Sequence, residues 1–268
     1  MHLKRWLTGI VGTALLIFLI TYGMRWPFYL FLFIASLIGL EEFFNITAKD
    51  LPRLLRFSSH LLSFILFLVF TMRQILLSPA VIFLFLAVPF TYHMLTYKNS
   101  DKKWAKEDLE KAVIGPMYIC LPIAMLILID MHPNGNIWIF FLLAVIFAND
   151  TGAFYAGKTF GRHKLYREVS PNKTWEGAIG GLIAGLIVAA VFLRIDILKV
   201  HALNLTILFL VFGLSVATQI GDLVESMLKR AYGVKDSGRI LPGHGGLLDR
   251  IDGLLFAVPV LYAYMAFV

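Results

Sequence analysis

Long apolar runs separated by short polar connections constrain this chain more than any other feature. Hydrophobic residues make up 59% of the sequence and charged residues 15%, whereas soluble domains carry about 25% charged residues. A membrane-spanning helix needs roughly 17–25 mainly apolar residues. The sequence therefore predicts an all-α integral membrane protein, a single polytopic domain over 1–268 with about nine spans, at 6–22, 26–44, 60–72, 77–95, 113–129, 137–156, 177–193, 203–220 and 253–268. The third run is short, which leaves a count of eight open.

The distribution of basic residues predicts the orientation in the membrane. With nine spans, the N-terminus and every second connection lie on one side, and all but four of the 24 Lys and Arg residues fall there. The exceptions are Arg25, Arg73, Arg194 and Lys199. Cytoplasmic connections carry the excess of Lys and Arg. We therefore predict a cytoplasmic N-terminus and a C-terminus outside, in a bacterial-type cytoplasmic (inner) membrane.

Composition and charge also indicate which partners the protein binds and which part of the chain holds the catalytic residues. The net charge of +7 is spread over short connections, which favours anionic headgroups or phosphorylated substrates and no nucleic acid. A single cysteine, Cys120, allows neither an intrachain disulfide nor a cysteine-based metal site. Residues 1–135 are expected to serve packing, lipid access or oligomer contacts, and residues 136–268 to hold the catalytic helices and loops. The connection at 97–113 alternates charges and predicts a short interfacial helix.

In the second half of the chain, ionisable residues enter the apolar runs themselves, and the first set lies in the eighth run and the residues directly after it. Asp222, Glu225, Ser226 and Lys229 follow the spacing of one helical stripe. Carboxylates with Lys229 and Arg230 at the end of the run suit a metal ion bound below an anionic substrate. Glu225 has an alternative role as the intrahelical partner of Lys229, but that role leaves Asp222 without a partner.

The stretch KDSGRILPGHGGLLDRID, residues 235–252, holds the second set. Glycines around His244 allow the backbone to approach a ligand closely or adopt positive φ, and exposed amides there can hold phosphate oxygens. Asp249 and Asp252 follow where the last run begins. Asp222 and Asp249, facing each other across a helical hairpin, would form a Mg²⁺ site for a phosphate substrate, because hard cations take oxygen ligands.

A third set lies in and after the sixth run. Asn149 and Asp150 stand within the run, and further on Ser170-Pro171 fits a helix cap followed by proline at the first helical position. That assignment places Lys173 in the first turn, where the helix dipole favours an anion rather than a cation. We therefore expect Lys173 and the free amides to hold an anion. The spacing of Gly177, Gly181 and Gly185 predicts close helix packing.

These residues carry a family resemblance. The stretch 226–252 resembles the signature of the phosphatidate cytidylyltransferase family, also called CDP-diacylglycerol synthases, and SPNKTWEGAIGG resembles the family's second recurrent stretch. The matching signature positions are Ser226, Lys229, Arg230, Lys235, Asp236, Pro242, His244, Gly245, Gly246, Asp249, Arg250 and Asp252. The resemblance covers at least residues 140–268.

The resemblance implies an enzyme that condenses CTP with phosphatidic acid to CDP-diacylglycerol and pyrophosphate in phospholipid biosynthesis. It also implies Mg²⁺, with a second cation left open, membrane lipids around the protein and compatibility with a homodimer. The catalytic residues would be Asp222, Asp249, Lys173, His244 and Lys229. The metal ligands would be Asp222 and Asp249, with Asp150 and Asp252 as further candidates. Substrate contacts would come from Lys229, Arg230, Lys235, Asp236, Ser170, Asn172, Thr174, Gly245, Gly246, Arg250 and Asn149.

Three other kinds of protein fit parts of the pattern. A CDP-alcohol phosphotransferase would show a D-G-x-x-A-R core, which this sequence lacks. A CTP-dependent polyprenol kinase would share the nucleotide. A cation-coupled transporter would use Asp150 and Asp222 as ion ligands, but it would not need Lys and Arg around the carboxylates on one side.

Overall fold

A computed structural model describes residues 2–21, 24–97, 102–195, 198, 205–240 and 245–267, and only the backbone of 2–11 and 102–108. The described residues are mostly helical and include one short β-hairpin. The helices are α1 (His2–Thr21), α2 (Arg25–Thr47), α3 (Arg53–Thr71), α4 (Ser78–Thr96), α5 (Lys102–Gly115), α6 (Leu121–Asp130), α7 (Gly135–Phe160), α8 (Trp175–Arg194), α9 (Leu205–Ala231) and α10 (Leu248–Phe267). The strands are β1 (Lys164–Tyr166) and β2 (Ser170–Thr174).

A helix stands at each of the nine predicted spans. In the described part of the chain, eight helical segments are long and apolar enough to cross a membrane, and a shorter apolar segment, Gly12–Thr21, belongs to α1. The short third run, 60–72, overlaps α3, a helix of 19 residues that begins seven residues before the run and ends one residue before its end. The prediction of an all-α integral membrane protein is confirmed, while the orientation of its ends stays a prediction.

Residues 102–113 of the connection at 97–113 are helical, but they do not form a separate helix. α5 runs directly into a π-helical turn, Pro116–Cys120, which continues into α6. Pro116 has no amide hydrogen to donate, so the regular helical bonding has to change near this residue. The placement of α5 at the membrane interface stays a prediction.

The prediction that Ser170 caps a helix is wrong. Ser170 to Thr174 form β2, which pairs antiparallel with β1 so that Lys164 lies opposite Thr174 and Tyr166 opposite Ser170. Thr174 is the cap instead, because its hydroxyl accepts a 3.1 Å hydrogen bond from the Gly177 amide. Lys173 therefore lies on a strand just before α8 rather than in the first helical turn.

Small residues bring α7 and α8 into close contact, as the glycine spacing predicted. A β-carbon added at Gly177 would lie 2.8 Å from the Ala153 carbonyl oxygen, and one at Gly152 would lie 2.7 Å from that of Gly180. Gly185 faces Ser215 of α9. Since a side chain at Gly152 or Gly177 would overlap the backbone of the opposite helix, the backbones themselves form the contact between α7 and α8.

We expect Gly181→Ala to lower the stability of the protein by about 1–3 kcal/mol, the usual cost of overpacking. The new methyl group would lie 2.8 Å from the Asn149 carbonyl oxygen and closer still to the Asn149 side chain. The apparent Tm in detergent measures the effect. Gly12→Ala is the matched control, because no atom among the described residues lies within 4 Å of its added β-carbon. Equal Tm changes in the two variants would contradict the close packing.

The contacts divide the chain into two compact units. One comprises Met1–Ile127 and Asp236–Asp249, and the other Leu128–Lys235 and Arg250–Val268. The first unit therefore combines the early helices with the glycine-rich stretch after α9. The second holds α7, the hairpin, α8, α9 and most of α10.

Candidate active site

Three carboxylates and one lysine interact within the second unit. Lys173 Nζ lies 2.5 Å from Asp222 Oδ2. Asp150 interacts electrostatically with both of these side chains, and Asp252 interacts with the other three. We call Asp150, Asp222 and Asp252 the acidic cluster. The structure thus brings together three of the four predicted metal ligands with Lys173, one of the two predicted catalytic lysines.

Four different elements supply these side chains. Asp150 lies on α7, Lys173 on β2, Asp222 on α9 and Asp252 on α10. α9 and α10 approach closely, since a β-carbon on Gly253 would lie 2.7 Å from the Thr218 methyl carbon. Asp150 is exposed, whereas Asp222 and Asp252 are half-buried. The acidic cluster is therefore open to a polar ligand.

Asp249 lies in the first unit, where it organises the stretch before α10. Its Oδ2 accepts 2.9 Å hydrogen bonds from the amides of Ser237 and Gly246, and its own amide donates to Ser237 Oγ at 3.3 Å. Gly245 adopts a positive φ of 86°, as the sequence predicted for a glycine of this stretch. Pro242 and His244 lie outside the described residues. The joint metal site of Asp222 and Asp249 stays a prediction.

The basic residues at the end of α9 differ in their surroundings. Lys229 Nζ lies 2.6 Å from Glu225 Oε2, and Glu225 is 1% exposed. This pair confirms the alternative role of Glu225 as an intrahelical partner. Arg230 and Lys235 are exposed, and between them α9 ends as predicted near Gly233, with φ of 67°. Arg250 and Asp236 are also exposed, so these side chains are accessible to a large ligand.

Comparison with known proteins identifies the kind of protein to which this site belongs. The model of the cytidylyltransferase family matches residues 3–268. The chain belongs to this family. A phosphatidate cytidylyltransferase of Bacillus subtilis is 34% identical over 98% of this chain and 97% of its own length. Others of Staphylococcus saprophyticus and Staphylococcus haemolyticus are 47% and 52% identical over 52% and 48% of this chain and 53% and 48% of their own.

Family membership confirms the resemblance and the prediction of an enzyme. The match extends through the N-terminal helices, well beyond the stretch 140–268 in which the sequence motifs lie. A cytidylyltransferase acts on charged phosphate groups, which gives a chemical reason for the three carboxylates in the apolar helices of the second unit and for Lys173 on the strand beside them.

The acidic cluster suits Mg²⁺ by its donor chemistry. Among the described residues, no group of three or more His, Cys, Asp or Glu side chains is arranged to hold a metal ion. Mg²⁺ does not require such a cage, because it is usually bound by one or two carboxylates together with water and substrate phosphates. Asp222 is the best placed of the three, because it interacts with both Asp150 and Asp252 and also contacts Lys173.

Asn149 has a different position from the one predicted. It is fully buried, its Nδ2 donates to the Ser215 carbonyl at 3.1 Å, and Gln219 Nε2 lies 3.4 Å from its Oδ1. Gln219 also donates to the Ala178 carbonyl at 3.2 Å. Asn149 therefore links α7, α8 and α9, and this arrangement leaves no exposed surface for the predicted substrate contact.

The hairpin holds the remaining predicted contacts and one pair that the sequence did not indicate. Asn172 is exposed and Ser170 is half-buried, while the buried Thr174 caps α8. Glu176 accepts a hydrogen bond from the His163 amide at 3.2 Å and lies 2.6 Å from His163 Nδ1. This pair connects the residue before β1 to the first turn of α8. It therefore stabilises the hairpin whose second strand, β2, holds Lys173.

Glu42 of α2 is the other functional candidate that sequence analysis missed. This charged side chain lies in an apolar helix of the N-terminal half and is only 5% exposed. Its carboxylate accepts hydrogen bonds from Ser237, Leu247 and Leu248. A signal was present, because a charged residue inside a membrane span is functional by default.

Proposed function

We propose that this enzyme condenses CTP with phosphatidic acid to give CDP-diacylglycerol and pyrophosphate. The observation that carries the proposal is the match to the Bacillus subtilis phosphatidate cytidylyltransferase, which covers 98% of this chain. The chemistry of the acidic cluster and Lys173 also supports the proposal. Both substrates are polyanions, and a site with cations beside carboxylates suits phosphate groups accompanied by a metal ion.

The proposed reaction needs little acid–base chemistry. A phosphate oxygen of phosphatidate attacks the α-phosphorus of CTP, a new phosphorus–oxygen bond forms, and the bond between the α- and β-phosphates breaks. The nucleophile is already anionic, so no strong base is required. The main barrier is the repulsion between the substrates, and the enzyme lowers it by charge neutralisation and by in-line positioning.

The residues divide this task by their location. Lys173 lies beside Asp222 at the acidic cluster, where it would bind the triphosphate. Lys229, Arg230 and Lys235 follow along the end of α9 and would contact the triphosphate or the lipid headgroup. A Mg²⁺ ion held by Asp222, with Asp150 or Asp252, would neutralise phosphate charge when bound. His244 remains a proposed phosphate contact or proton donor to pyrophosphate.

The site is proposed to face the cytoplasm. This follows from the distribution of Lys and Arg, which predicts that the connections containing Lys173 and Lys235 lie on the cytoplasmic side. Lipid tails would enter sideways between spans and CTP from the water. The bacterial sources of the relatives support placement in a bacterial cytoplasmic membrane. The homodimer stays a prediction.

An omission experiment tests the proposed function. We expect the purified protein in detergent to release pyrophosphate and form CDP-diacylglycerol only when CTP, phosphatidic acid and Mg²⁺ are all present. EDTA should abolish both products, and added Mg²⁺ should restore them. A folded preparation that formed neither product, but phosphorylated a polyprenol with CTP, would overturn the proposal. Formation without added divalent cation in EDTA would overturn the metal requirement alone.

A further inference from the structure

The carboxylate of Glu42 joins the two ends of the stretch between α9 and α10. On one side, Ser237 Oγ lies 3.0 Å from Glu42 Oε2. On the other, the amides of Leu247 and Leu248 donate to Oε1 and Oε2 at 3.0 and 2.9 Å. These partners are about 200 positions away in the sequence, so the contact is a tertiary one.

The contact also completes the beginning of α10. Leu247 directly precedes this helix, and its apolar side chain cannot accept hydrogen bonds from the free amides of the first turn. Glu42 supplies the missing acceptor from α2. A carboxylate is favoured at this end of a helix, since the helix dipole is positive there.

Two glycines show that the surroundings are closely packed. A β-carbon on Gly246 would lie 2.5 Å from Glu42 Oε2, and one on Gly238 would lie 2.8 Å from Glu42 Cδ. The backbone thus lies directly against the carboxylate from both sides. A change in the Glu42 side chain must move this backbone or leave its donors without an acceptor.

Asp249 depends on the same backbone. The amides that donate to its Oδ2 belong to Ser237 and Gly246, and Ser237 is also a partner of Glu42. Ser237 therefore belongs to two networks, one around each carboxylate. The amides of Ser237 and Gly246 set the location of the Asp249 carboxylate. Glu42 in turn binds Ser237 and Leu247, the residue after Gly246.

We propose that Glu42 is a positioning residue of this enzyme: it fixes the backbone on both sides of the glycine-rich stretch and thereby sets the location of Asp249. The consequence for turnover rests on the proposed function, whereas the consequence for the backbone does not. Supporting residues that orient ligands of a metal or a substrate typically change activity or affinity by about 10–100-fold when they are replaced.

The test compares Glu42→Gln with Glu41→Gln in the full-length protein. Glutamine keeps the size of the side chain but presents an amide group to donors that need an acceptor. Glu41 is the matched control, because it lies on the same helix and contacts Arg56 at 2.6 Å and His60 at 3.6 Å instead. Ser237→Ala removes the shared hydroxyl and tests the link between the two networks.

Three measurements are expected to move together in Glu42→Gln and Ser237→Ala. Hydrogen exchange of the amides at 246–249 should become faster. The kcat should fall by about 10–100-fold, with the KM for phosphatidic acid unchanged. The Mg²⁺ concentration that gives half-maximal activity should rise. Glu42→Asp, which retains the charge, should regain part of the kcat, and Glu41→Gln should resemble the wild type.

Two results would overturn the inference. One is unchanged exchange at 246–249 in Glu42→Gln, which would show that the carboxylate does not hold this backbone. The other is a lower apparent Tm with unchanged kcat and Mg²⁺ dependence, which would show a role in stability alone. If the wild type lacked the proposed activity, the proposed function would fail, and hydrogen exchange would still decide the positioning by Glu42.

Discussion

Asp222→Asn is expected to lower turnover by about a thousandfold and to leave the protein folded. The substitution removes the charge that Lys173 contacts at 2.5 Å, and with it the best-placed oxygen ligand for a divalent cation. Loss of about 4 kcal/mol of transition-state stabilisation, in the range supplied by a bound metal ion, corresponds to this factor. Pyrophosphate release at saturating CTP and phosphatidic acid measures the effect.

Thr218→Val is the matched control for this experiment. Thr218 lies on α9, four positions before Asp222, and its hydroxyl donates to the Leu214 carbonyl of the same helix at 2.8 Å. Valine has the same shape, so turnover should stay near the wild-type value. Near-normal turnover of Asp222→Asn would remove Asp222 from the proposed metal site.

The pair of Lys173 and Asp222 also has a purely structural explanation, which stability measurements can separate. Both side chains are partly exposed, at 24% and 39%, and pairs of this kind contribute about 0–1 kcal/mol. If the pair served stability alone, Lys173→Met would cost little turnover, and combining it with Asp222→Asn would restore the apparent Tm. We expect Lys173→Met to lower turnover at least about 100-fold with a Tm change of a few degrees.

The spans and the main catalytic candidates were predictable because their signals are local. A run of apolar side chains identifies a membrane helix by length alone, and a helix of the described part of the chain lies at each of the nine runs found in this way. The same rule makes charged residues inside such runs conspicuous. Asp150 was selected in this way, whereas Asp222 and Asp252 were selected because they lie directly beside the ends of such runs. The structure brings the three together with Lys173.

Sequence analysis was less accurate where the same residues fit two local structures, a helix start or a strand. Ser170-Pro171 fits a helix start, but Thr174 fits one as well, and pairing with β1 decides for a strand that ends at Thr174. Proline is tolerated at the edge of such a short hairpin. The error concerned the local structure around Lys173 and left its choice as a site residue intact.

Contacts between residues far apart in the sequence could not be predicted either. Nothing near Glu42 in the sequence indicates that its partners lie at 237–248. Asn149 shows the same limit. Because it stands beside Asp150, it was assigned to substrate binding, but its hydrogen bonds are made to Ser215 and Gln219 on another helix. A buried polar side chain needs partners, but the sequence does not say which ones.

Asp249→Asn and Asp249→Ala should separate the two roles of this residue. Asparagine keeps an oxygen that can accept from the Ser237 and Gly246 amides, so it should preserve the backbone while removing the charge. We expect turnover to fall by about a thousandfold, with hydrogen exchange at 246–249 unchanged. Alanine removes the acceptor as well, and it should lower turnover and also speed exchange.

Asp50→Asn is a control for the loss of one carboxylate, because Asp50 is exposed in the connection after α2, and its turnover should stay near the wild-type value. If Asp249→Asn kept normal turnover and normal exchange while Asp249→Ala lost both, Asp249 would act only through the backbone that it organises. Its charge would then have no part in catalysis, and the proposed metal ligands would all belong to the acidic cluster.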